Sequence, residues 1–142
     1  MHKANVWHND IVSFDEEYTN EDMLYIDTSD EIYNAYREDE LKVIYQNGQI
    51  ILNPNYEEEK EQQEQERISK LSLTKREVFL ALYADKGITP EQIRAQITDP
   101  AALIEFDYAE RYYRGNVLID LIGQKLGYTK QQLDTLFETG SF

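Results

Sequence analysis

Hydrophobic positions along this chain change their spacing near Asn55, and the change divides the sequence into two kinds of segment. Before that point, apolar residues form short β-branched and aromatic islands at residues 6–7, 11–12 and 23–26. Such islands are typical of short strands. After that point, apolar residues recur at helical spacing between capping residues and glycines. The pattern predicts an α+β fold, with a small antiparallel β region first and short helices after it.

The clearest local signal is a hairpin over residues 41–53. Two apolar runs flank Asn47-Gly48. Both residues tolerate the positive φ that a type I′ turn requires, so this pair predicts a two-residue hairpin loop. A lone hairpin is marginal in water. We therefore expect strands from residues 1–40 to join it in one small antiparallel sheet.

A charged segment follows the hairpin. Pro54 ends the second strand because proline cannot donate to a ladder, and Asn55 is the expected cap of the next helix. Residues 57–67 contain no aliphatic side chain, so this helix has no face that a core could bury. We expect a solvated linker helix or one strand of an assembly. The predicted organisation is a β region over residues 1–54, a linker helix over residues 55–72 and a helical bundle over residues 73–142.

The C-terminal segment carries repeated start and stop signals for helices. Thr74 and Thr129 each precede a Glu or Gln by three residues, which is the spacing of a capping box. Thr89-Pro90 starts another helix, with proline at a position where its missing N–H costs nothing. Gly87 and Gly127 are natural residues just past the end of a helix. These signals predict a bundle of four or five short helices.

Apolar spacing also assigns buried faces to these helices. The helix that begins at Asp99-Pro100 is expected to continue to Arg114, with Tyr113 on its buried face. In the helices after Thr74 and after Asn116, the residues expected inside the bundle recur at helical spacing: Val78, Phe79, Leu82, Tyr83, Leu118, Leu121, Ile122 and Leu126.

Net charge separates the same two parts. The chain carries 28 acidic and 14 basic side chains, for a net charge of −14. Residues 1–70 hold −12 of this charge and residues 71–142 hold −2. The acidic part should repel phosphate backbones, and it could attract a basic protein surface or imitate nucleic acid. The simpler interpretation, in which acidity only keeps the protein in solution, stays open.

Side chains that usually carry catalysis or hold metals are scarce. The chain has no cysteine, and its histidines are His2 and His8, both near one end. A histidine-based triad or a zinc site is therefore not expected. The acidic clusters lack the glycine and the spacing of a Ca²⁺ loop, and no phosphate loop or nucleophile elbow occurs. We expect no enzyme activity, no cofactor, no metal and no direct contact with nucleic acid.

Membrane insertion and secretion are not expected either. No apolar run approaches the ~20 residues that a membrane span needs. The first residues lack the apolar core of a secretion signal. The absence of cysteine fits a reducing compartment. These features together favour a cytoplasmic protein.

Aromatic and arginine side chains mark the candidate contact surface. Both types are enriched where proteins bind other proteins. Two plainer interpretations stay open, namely that the tyrosines pack on the hairpin and that the arginines form ion pairs within their own helix. The candidate partner-binding residues are Trp7, Tyr25, Tyr33, Tyr36, Tyr45, Ile51, Arg111, Tyr112 and Arg114.

One corner of the chain is similar to a helix-turn-helix. Residues 84–93 contain the glycine turn, and a second helix would begin at Pro90, with Arg94 and Gln96 facing outward. DNA binding needs a surface with several basic side chains, and this helix offers a single arginine. DNA binding is therefore a minor alternative.

Residues 43–83 resemble a known group of proteins. The run Asn53-Pro54-Asn55-Tyr56-Glu57-Glu58-Glu59 leads from the hairpin into a Gln/Glu-rich helix, and a leucine/threonine segment restarts after Lys70. This order resembles small proteins of tailed phages and prophages that lie beside tail-fibre or receptor-binding-protein genes.

The resemblance implies a function and a place. It implies a tail-fibre assembly chaperone or tail accessory component that binds a tail-fibre or other tail protein, with self-association left open. Such a protein would act in the host cytoplasm during assembly or in the virion. The resemblance assigns no catalytic residue. The alternative is an acidic phage-encoded inhibitor that mimics nucleic-acid charge to block a host defence protein.

Overall fold

The computed structural model describes residues 1–18 and 20–142, and it has the α+β fold that the sequence predicts. The chain forms two compact units, Met1–Gln62 and Gln63–Phe142, which we call the N-terminal unit and the C-terminal unit. The division falls within the charged helix. Most of the strands lie in the first unit, and short helices dominate the second.

Tight turns join the strands of the N-terminal unit. Asn47 and Gly48 have φ of 53° and 80°, which confirms the predicted hairpin. His8 and Asn9 have φ of 51° and 69° and form a second turn of the same kind, which the sequence analysis missed. Histidine and asparagine enter this region more readily than most residues. The elements are β1 (His2–Trp7), β2 (Asp10–Phe14), β3 (Leu24–Thr28), α1 (Asp30–Glu38), a 3-10 turn (Glu40–Lys42), β4 (Val43–Gln46), β5 (Gln49–Leu52) and the start of α2 (Tyr56–Ser69).

Two sheets, rather than one, enclose the core of this unit. β1 lies between β2 and β3 in an antiparallel sheet, while β4 pairs with β5 in a separate ladder. The expectation that the first strands extend the hairpin ladder is therefore wrong. Instead, β2 lies against β4 and β3 lies against β5. Apolar burial joins the two sheets, around a core centred on Ala4, Val6, Val43 and Ile50.

The C-terminal unit confirms the predicted caps. The predicted capping boxes at Thr74 and Thr129 form, and Gly87 ends its helix with a φ of 67°. The predicted helix start at Thr89-Pro90 is also present, and Thr89 forms a capping box with Gln92 as well. The elements are the end of α2, β6 (Ser72–Thr74), α3 (Lys75–Lys86), α4 (Pro90–Ala95), α5 (Pro100–Tyr108), β7 (Arg111–Tyr113), α6 (Val117–Lys125) and α7 (Lys130–Thr139).

A strand pair stands where a longer helix was expected. The helix capped by Asp99 ends at Tyr108, and β7 then pairs with β6 so that Leu73 lies opposite Tyr112. The expectation that this helix continues to Arg114 is wrong, and Tyr112 rather than Tyr113 is buried. Three-residue strands are too short to show an alternating pattern, and their pairing partner is distant in sequence.

Most of the predicted buried faces are correct, with two exceptions. Tyr83 is 60% exposed and Leu121 is 37% exposed, so placing these two inside the bundle is wrong. Ala81 and Ile119 are buried in their helices instead. A short helix in a small bundle contacts its neighbours along a narrow face, and spacing alone does not determine which residues border that face.

Gly123 permits a close crossing of α6 and α7. A Cβ added there would lie 2.5 Å from Leu133 Cδ1, in a part of the core with little space. We expect Gly123→Ala to lower the free energy of unfolding by about 1–2 kcal/mol, because overpacking forces buried side chains to shift. Urea unfolding followed by far-ultraviolet circular dichroism measures this. Gln124→Ala, on the exposed side of α6, is the control and should leave stability nearly unchanged.

Candidate functional site

The alternation of β1 separates a core face from an outer face. Ala4 and Val6 point into the core, so the intervening side chains of Lys3, Asn5 and Trp7 lie on the opposite face of the β2–β1–β3 sheet. We call this the outer face. It carries the one tryptophan of the chain.

Strand register assembles aromatic side chains on the outer face. Asn5 lies opposite Ser13 on β2 and opposite Tyr25 on β3, so these three side chains lie side by side. Trp7 occupies the next outward position of β1 and is therefore a diagonal neighbour of Tyr25. Trp7 is 42% exposed and Tyr25 is 45% exposed. Two of the predicted partner-binding residues thus share one surface.

The chain after β2 folds back over part of this face. Asp15 turns with a φ of 56°, and its carboxylate accepts the Lys3 N–H at 2.8 Å. Asn5 Nδ2 donates to Ser13 Oγ at 2.8 Å and to the Glu16 carbonyl at 3.0 Å. These contacts cover Asn5 completely, although its side chain belongs to the outer face.

The hydroxyl of Tyr25 holds the end of this covering segment. It donates to the Tyr18 carbonyl at 3.0 Å and accepts the Tyr18 N–H at 3.2 Å. The Tyr18 hydroxyl in turn donates to the Glu16 carboxylate at 2.6 Å. The Tyr18 side chain remains 40% exposed. Trp7, Tyr18 and Tyr25 together form what we call the aromatic outer face.

Removing the Tyr25 hydroxyl should loosen this segment. In Tyr25→Phe, the Tyr18 amide loses its acceptor and the Tyr18 carbonyl loses its donor, while the ring on β3 is retained. We expect the Tyr18 amide hydrogen to exchange about tenfold faster, which corresponds to the loss of roughly one net hydrogen bond. Tyr83→Phe, on an exposed ring of α3, is the matched control. Unchanged protection of Tyr18 would contradict the role given to this hydroxyl.

Acidic side chains border the aromatic outer face. A surface depression of about 530 Å³ lies there, lined by Lys3, Asp15, Glu16, Glu17, Tyr18 and Tyr25. It therefore has three carboxylates and one ammonium. The backbone N–H of Lys3 holds the pKa of Asp15 below its ordinary value of 3.8, and the hydrogen bond from His2 lowers it further. Asp15 thus remains ionised under mildly acidic conditions.

This pKa shift predicts a pH dependence. A carboxyl whose pKa is lowered by folding contributes stability above its unfolded pKa, and that contribution disappears as the pH falls through the lower, folded value. We expect Asp15→Asn to be less stable than the natural chain at neutral pH, with the gap closing below about pH 4. Thermal unfolding followed by Trp7 fluorescence across this range measures the gap. Glu21→Gln, at an exposed carboxyl, is the control and should show no such convergence.

One buried acceptor at this site lacks a donor. Asn5 Oδ1 is enclosed and has no hydrogen-bond partner among the residues that the structure describes. A buried, unpaired acceptor costs roughly 1–3 kcal/mol relative to a paired one. The outer face therefore covers an unpaired acceptor that an ordered water could satisfy.

Three predicted contact residues are partly buried in the N-terminal unit, and two of them, Tyr36 and Tyr45, pack against its core. Tyr33 stacks on His2 with the ring centres 3.6 Å apart, and Tyr36 packs 4.7 Å from the ring of Phe14. Burial raises the pKa of Tyr36. Tyr45 packs against the same core. For these three tyrosines, the structure favours the interpretation that they stabilise the fold.

Ile51 lies on the hairpin face that points away from the core. It pairs with Ile44 across the ladder, and both are half-buried. Leu52 beside it is 47% exposed, on the other side of the strand. Ile51 and Leu52 therefore lie on opposite faces of the hairpin and do not form one apolar patch.

The C-terminal candidates separate into one exposed and two buried residues. Arg111 is exposed, and its guanidinium lies 3.1 Å from Ser72 Oγ. Tyr112 is 2% exposed and donates its hydroxyl to the Phe106 carbonyl. Arg114 is 7% exposed and bonds to Asp120 and Asp134 at 2.9 and 2.6 Å. Burial therefore takes Tyr112 and Arg114 out of the candidate contact surface. The alternative in which Arg114 pairs with Asp107 or Glu110 of its own helix is wrong, because Arg114 lies outside the helices and pairs with Asp120 and Asp134 instead.

The helix-turn-helix alternative depends on Arg94, the one arginine of its second helix, and that side chain is already paired. Arg94 forms a two-pronged ion pair with Asp107, in which both N–O distances are 3.0 Å. Because the Asp107 carboxylate already pairs with this guanidinium, Arg94 does not offer an unpaired positive charge to a DNA phosphate. The second helix of this corner is also only six residues long.

Three further observations on the described residues concern internal space, metal binding and membrane insertion. The C-terminal core encloses an apolar space of about 30 Å³ beside Leu82, Phe106 and Ile122, which has room for about one water molecule. Within residues 1–18 and 20–142, no group of three or more acidic or histidine side chains is arranged to hold a metal ion. Over that same part of the chain, none of the helices has the length and apolar character required to cross a membrane.

The chain was compared with protein families, curated proteins and solved structures. No family model matched the chain, and neither a curated protein nor a solved structure matched it significantly.

Sequence reasoning found Trp7 and Tyr25 but missed their neighbours. Tyr18 lies outside the predicted strands, and Asn5 is a polar residue that the alternation of β1 alone would assign to solvent. A signal was present in the turn-forming pair His8-Asn9, which sets the first pairs of β1 and β2, Trp7 with Asp10 and Val6 with Ile11. The β-bulge that follows shifts the register by one residue and brings Ser13 opposite Asn5, and no sequence signal predicted that bulge.

Proposed function

We propose that this chain is a non-enzymatic phage or prophage protein that binds a tail-fibre or other tail protein, as an assembly chaperone or an accessory component. The observation that carries the binding role is the aromatic outer face, where Trp7, Tyr18 and Tyr25 are each at least 40% exposed on one sheet. Large aromatic side chains contribute much of the energy of protein interfaces, because they bury a wide area with few rotamers to fix. The resemblance over residues 43–83 supplies the partner class.

The geometry of the face supports binding rather than catalysis. The covering segment is held by hydrogen bonds of Asp15, Asn5 and Tyr25, so the surface is organised before a partner arrives. A pre-organised surface loses less entropy on association. The carboxylates at its border are adjacent to tyrosines, and this arrangement suits recognition of a complementary surface.

A co-expression pull-down tests the proposal. The tagged chain, produced together with the tail-fibre protein of the same phage or prophage, should recover that fibre protein at both low and high salt. Trp7→Ala should reduce the recovered fibre protein about tenfold, as expected for a central aromatic contact. Tyr108→Ala is the control, because this ring is 82% exposed in the C-terminal unit. Failure to recover any fibre protein, or equal losses for both variants, would overturn the proposal.

Mature particles distinguish the two forms of this function. An assembly chaperone should be absent from purified virions, whereas an accessory component should remain in them at a fixed ratio to the fibre protein. Quantitative mass spectrometry of purified particles measures that ratio.

The charge of the N-terminal unit favours a second candidate function. Residues 1–62 carry 16 acidic and 4 basic side chains, a net charge of −12. A surface of this kind can imitate nucleic acid and block a host defence protein that binds DNA. Such a complex should weaken steeply as salt rises, and duplex DNA should compete with it. A partner captured only at low salt and released by DNA would support this candidate instead.

A further inference from the structure

Resting on the proposed function, we propose that the aromatic outer face recognises an arginine side chain presented by the partner protein. The guanidinium would lie in the depression between Tyr18 and Tyr25, against the carboxylates of Glu16 and Glu17, with the neighbouring partner residue on Trp7. This assigns a chemical class of ligand to the surface and predicts which partner residues it selects.

Charge complementarity identifies a cation as the occupant. Asp15, Glu16 and Glu17 line the depression with Lys3 as its single base. Asp27 follows Tyr25 by two positions on β3 and so projects from the same outer face. An anionic or purely apolar occupant would leave these carboxylates desolvated without a partner, which is costly. A cation compensates them.

The exposed rings select a cation that can also stack. Tyr18 and Tyr25 both line the depression, and their rings remain partly open to solvent. A cation over an aromatic face gains electrostatic energy from the ring, and a planar guanidinium can stack while its N–H groups bond to carboxylates. Lysine offers a compact, more strongly hydrated charge without a planar fork. The arrangement therefore fits arginine better than lysine.

Asn5 has an unpaired acceptor close to the depression. Its side-chain Nδ2 is already committed to Ser13 and to the Glu16 carbonyl, while its enclosed Oδ1 has no donor in the described part of the chain. The amide lies between Lys3, Tyr25 and Glu16, all of which line the depression. A guanidinium has five N–H donors and no acceptor. Because Asn5 Oδ1 is enclosed and Asn5 is not among the residues that line the depression, this hydrogen bond would run through an ordered water.

A matched set of peptides tests the ligand chemistry. The probes are short, blocked peptides with one central arginine, and counterparts in which that residue is lysine or the neutral isostere citrulline. Binding is measured by NMR titration of the intact chain, with the indole N–H of Trp7 as a unique reporter. We expect the arginine peptide to bind with a dissociation constant on the order of millimolar, and the citrulline peptide to bind at least about fivefold more weakly.

Variants at the border of the depression should change affinity in both directions. Glu16→Gln with Glu17→Gln should weaken arginine binding about fivefold, while Lys3→Met should strengthen it about threefold, because these changes remove attractive and repulsive charges respectively. Glu57→Gln with Glu58→Gln, in the first turn of α2, removes the same charge elsewhere in the unit and is the matched control. If the control weakened arginine binding equally, the net negative charge of the unit rather than the depression would explain the binding, and the proposal would be wrong.

Three results would overturn the proposal. These are equal binding of the arginine and citrulline peptides, tighter binding of lysine than of arginine, and chemical-shift changes centred on α2 instead of Trp7, Tyr18 and Tyr25. The outcome is separable from that of the pull-down. Capture of the fibre protein without arginine preference would refute only the ligand chemistry, whereas arginine binding without fibre capture would refute only the proposed partner.

Discussion

Replacing Arg114 by methionine is expected to lower the free energy of unfolding of the C-terminal unit by about 3 kcal/mol. The guanidinium is enclosed and bonds to Asp120 on α6 and Asp134 on α7, at 2.9 and 2.6 Å. It also reaches the Lys130 carbonyl. Methionine keeps most of the volume but leaves two neighbouring carboxylates without their cation. Because both carboxylates are partly open to water, we expect an effect near the lower end of the range for fully buried pairs.

Urea unfolding followed by far-ultraviolet circular dichroism measures this loss. Arg76→Met, at an exposed arginine of α3, is the matched control and should change stability by less than about 0.5 kcal/mol. The double variant with Asp134→Leu separates charge from packing, because removing one carboxylate relieves part of the repulsion. If Arg114→Met were as mild as the control, the ion-pair cluster would not stabilise the unit.

Replacing Asn53 by alanine is expected to destabilise the N-terminal unit by about 2–3 kcal/mol. This side chain is 7% exposed and uses both ends of its amide. Nδ2 donates to the Leu41 carbonyl and to the Glu59 carboxylate, each at 2.8 Å, while Oδ1 accepts the Asn55 N–H at 3.0 Å. It therefore ties the entry and exit of the hairpin to the first turn of α2.

Asn55→Ala is the informative control for this prediction. The sequence predicts Asn55 as the cap of the charged helix, and its carbonyl accepts the Glu59 N–H at 2.9 Å. Its side chain is exposed, however, and it is the Asn53 side chain that accepts the Asn55 N–H. We expect Asn55→Ala to cost less than about 1 kcal/mol. Unfolding followed by Trp7 fluorescence compares the two variants in the unit that contains the reporter. A larger effect at Asn55 than at Asn53 would contradict this account of the helix start.

Features that depend on neighbouring residues could be predicted from the chain. Asn47-Gly48 forms its turn because both residues tolerate positive φ, and Thr74 caps its helix because Glu77 lies three positions later. The charged α2 has no buried residue, as its composition requires. In each case the energetic cause lies within a few residues, so the pattern already contains it.

The candidate site was only partly predictable, because its residues come from segments that are distant in sequence. Trp7 and Tyr25 were identified by residue type, but so were Tyr33, Tyr36 and Tyr112, which the fold buries or partly buries. A tyrosine has an apolar ring and a polar hydroxyl, so it is stable both in a core and at a surface. Only the register between strands decides which of these rings face outward.

By itself, the sequence determined the class of fold, the turns and caps, and the concentration of negative charge in the first unit. Tertiary structure decided that Arg114 is enclosed between two carboxylates, that the hairpin packs on the first sheet without joining its ladder, and that Asn5 is covered by the segment that contains Glu16. The physical reason is range. Backbone conformation and charge follow from adjacent residues, whereas burial and hydrogen-bond partners depend on segments that meet only when the chain has folded.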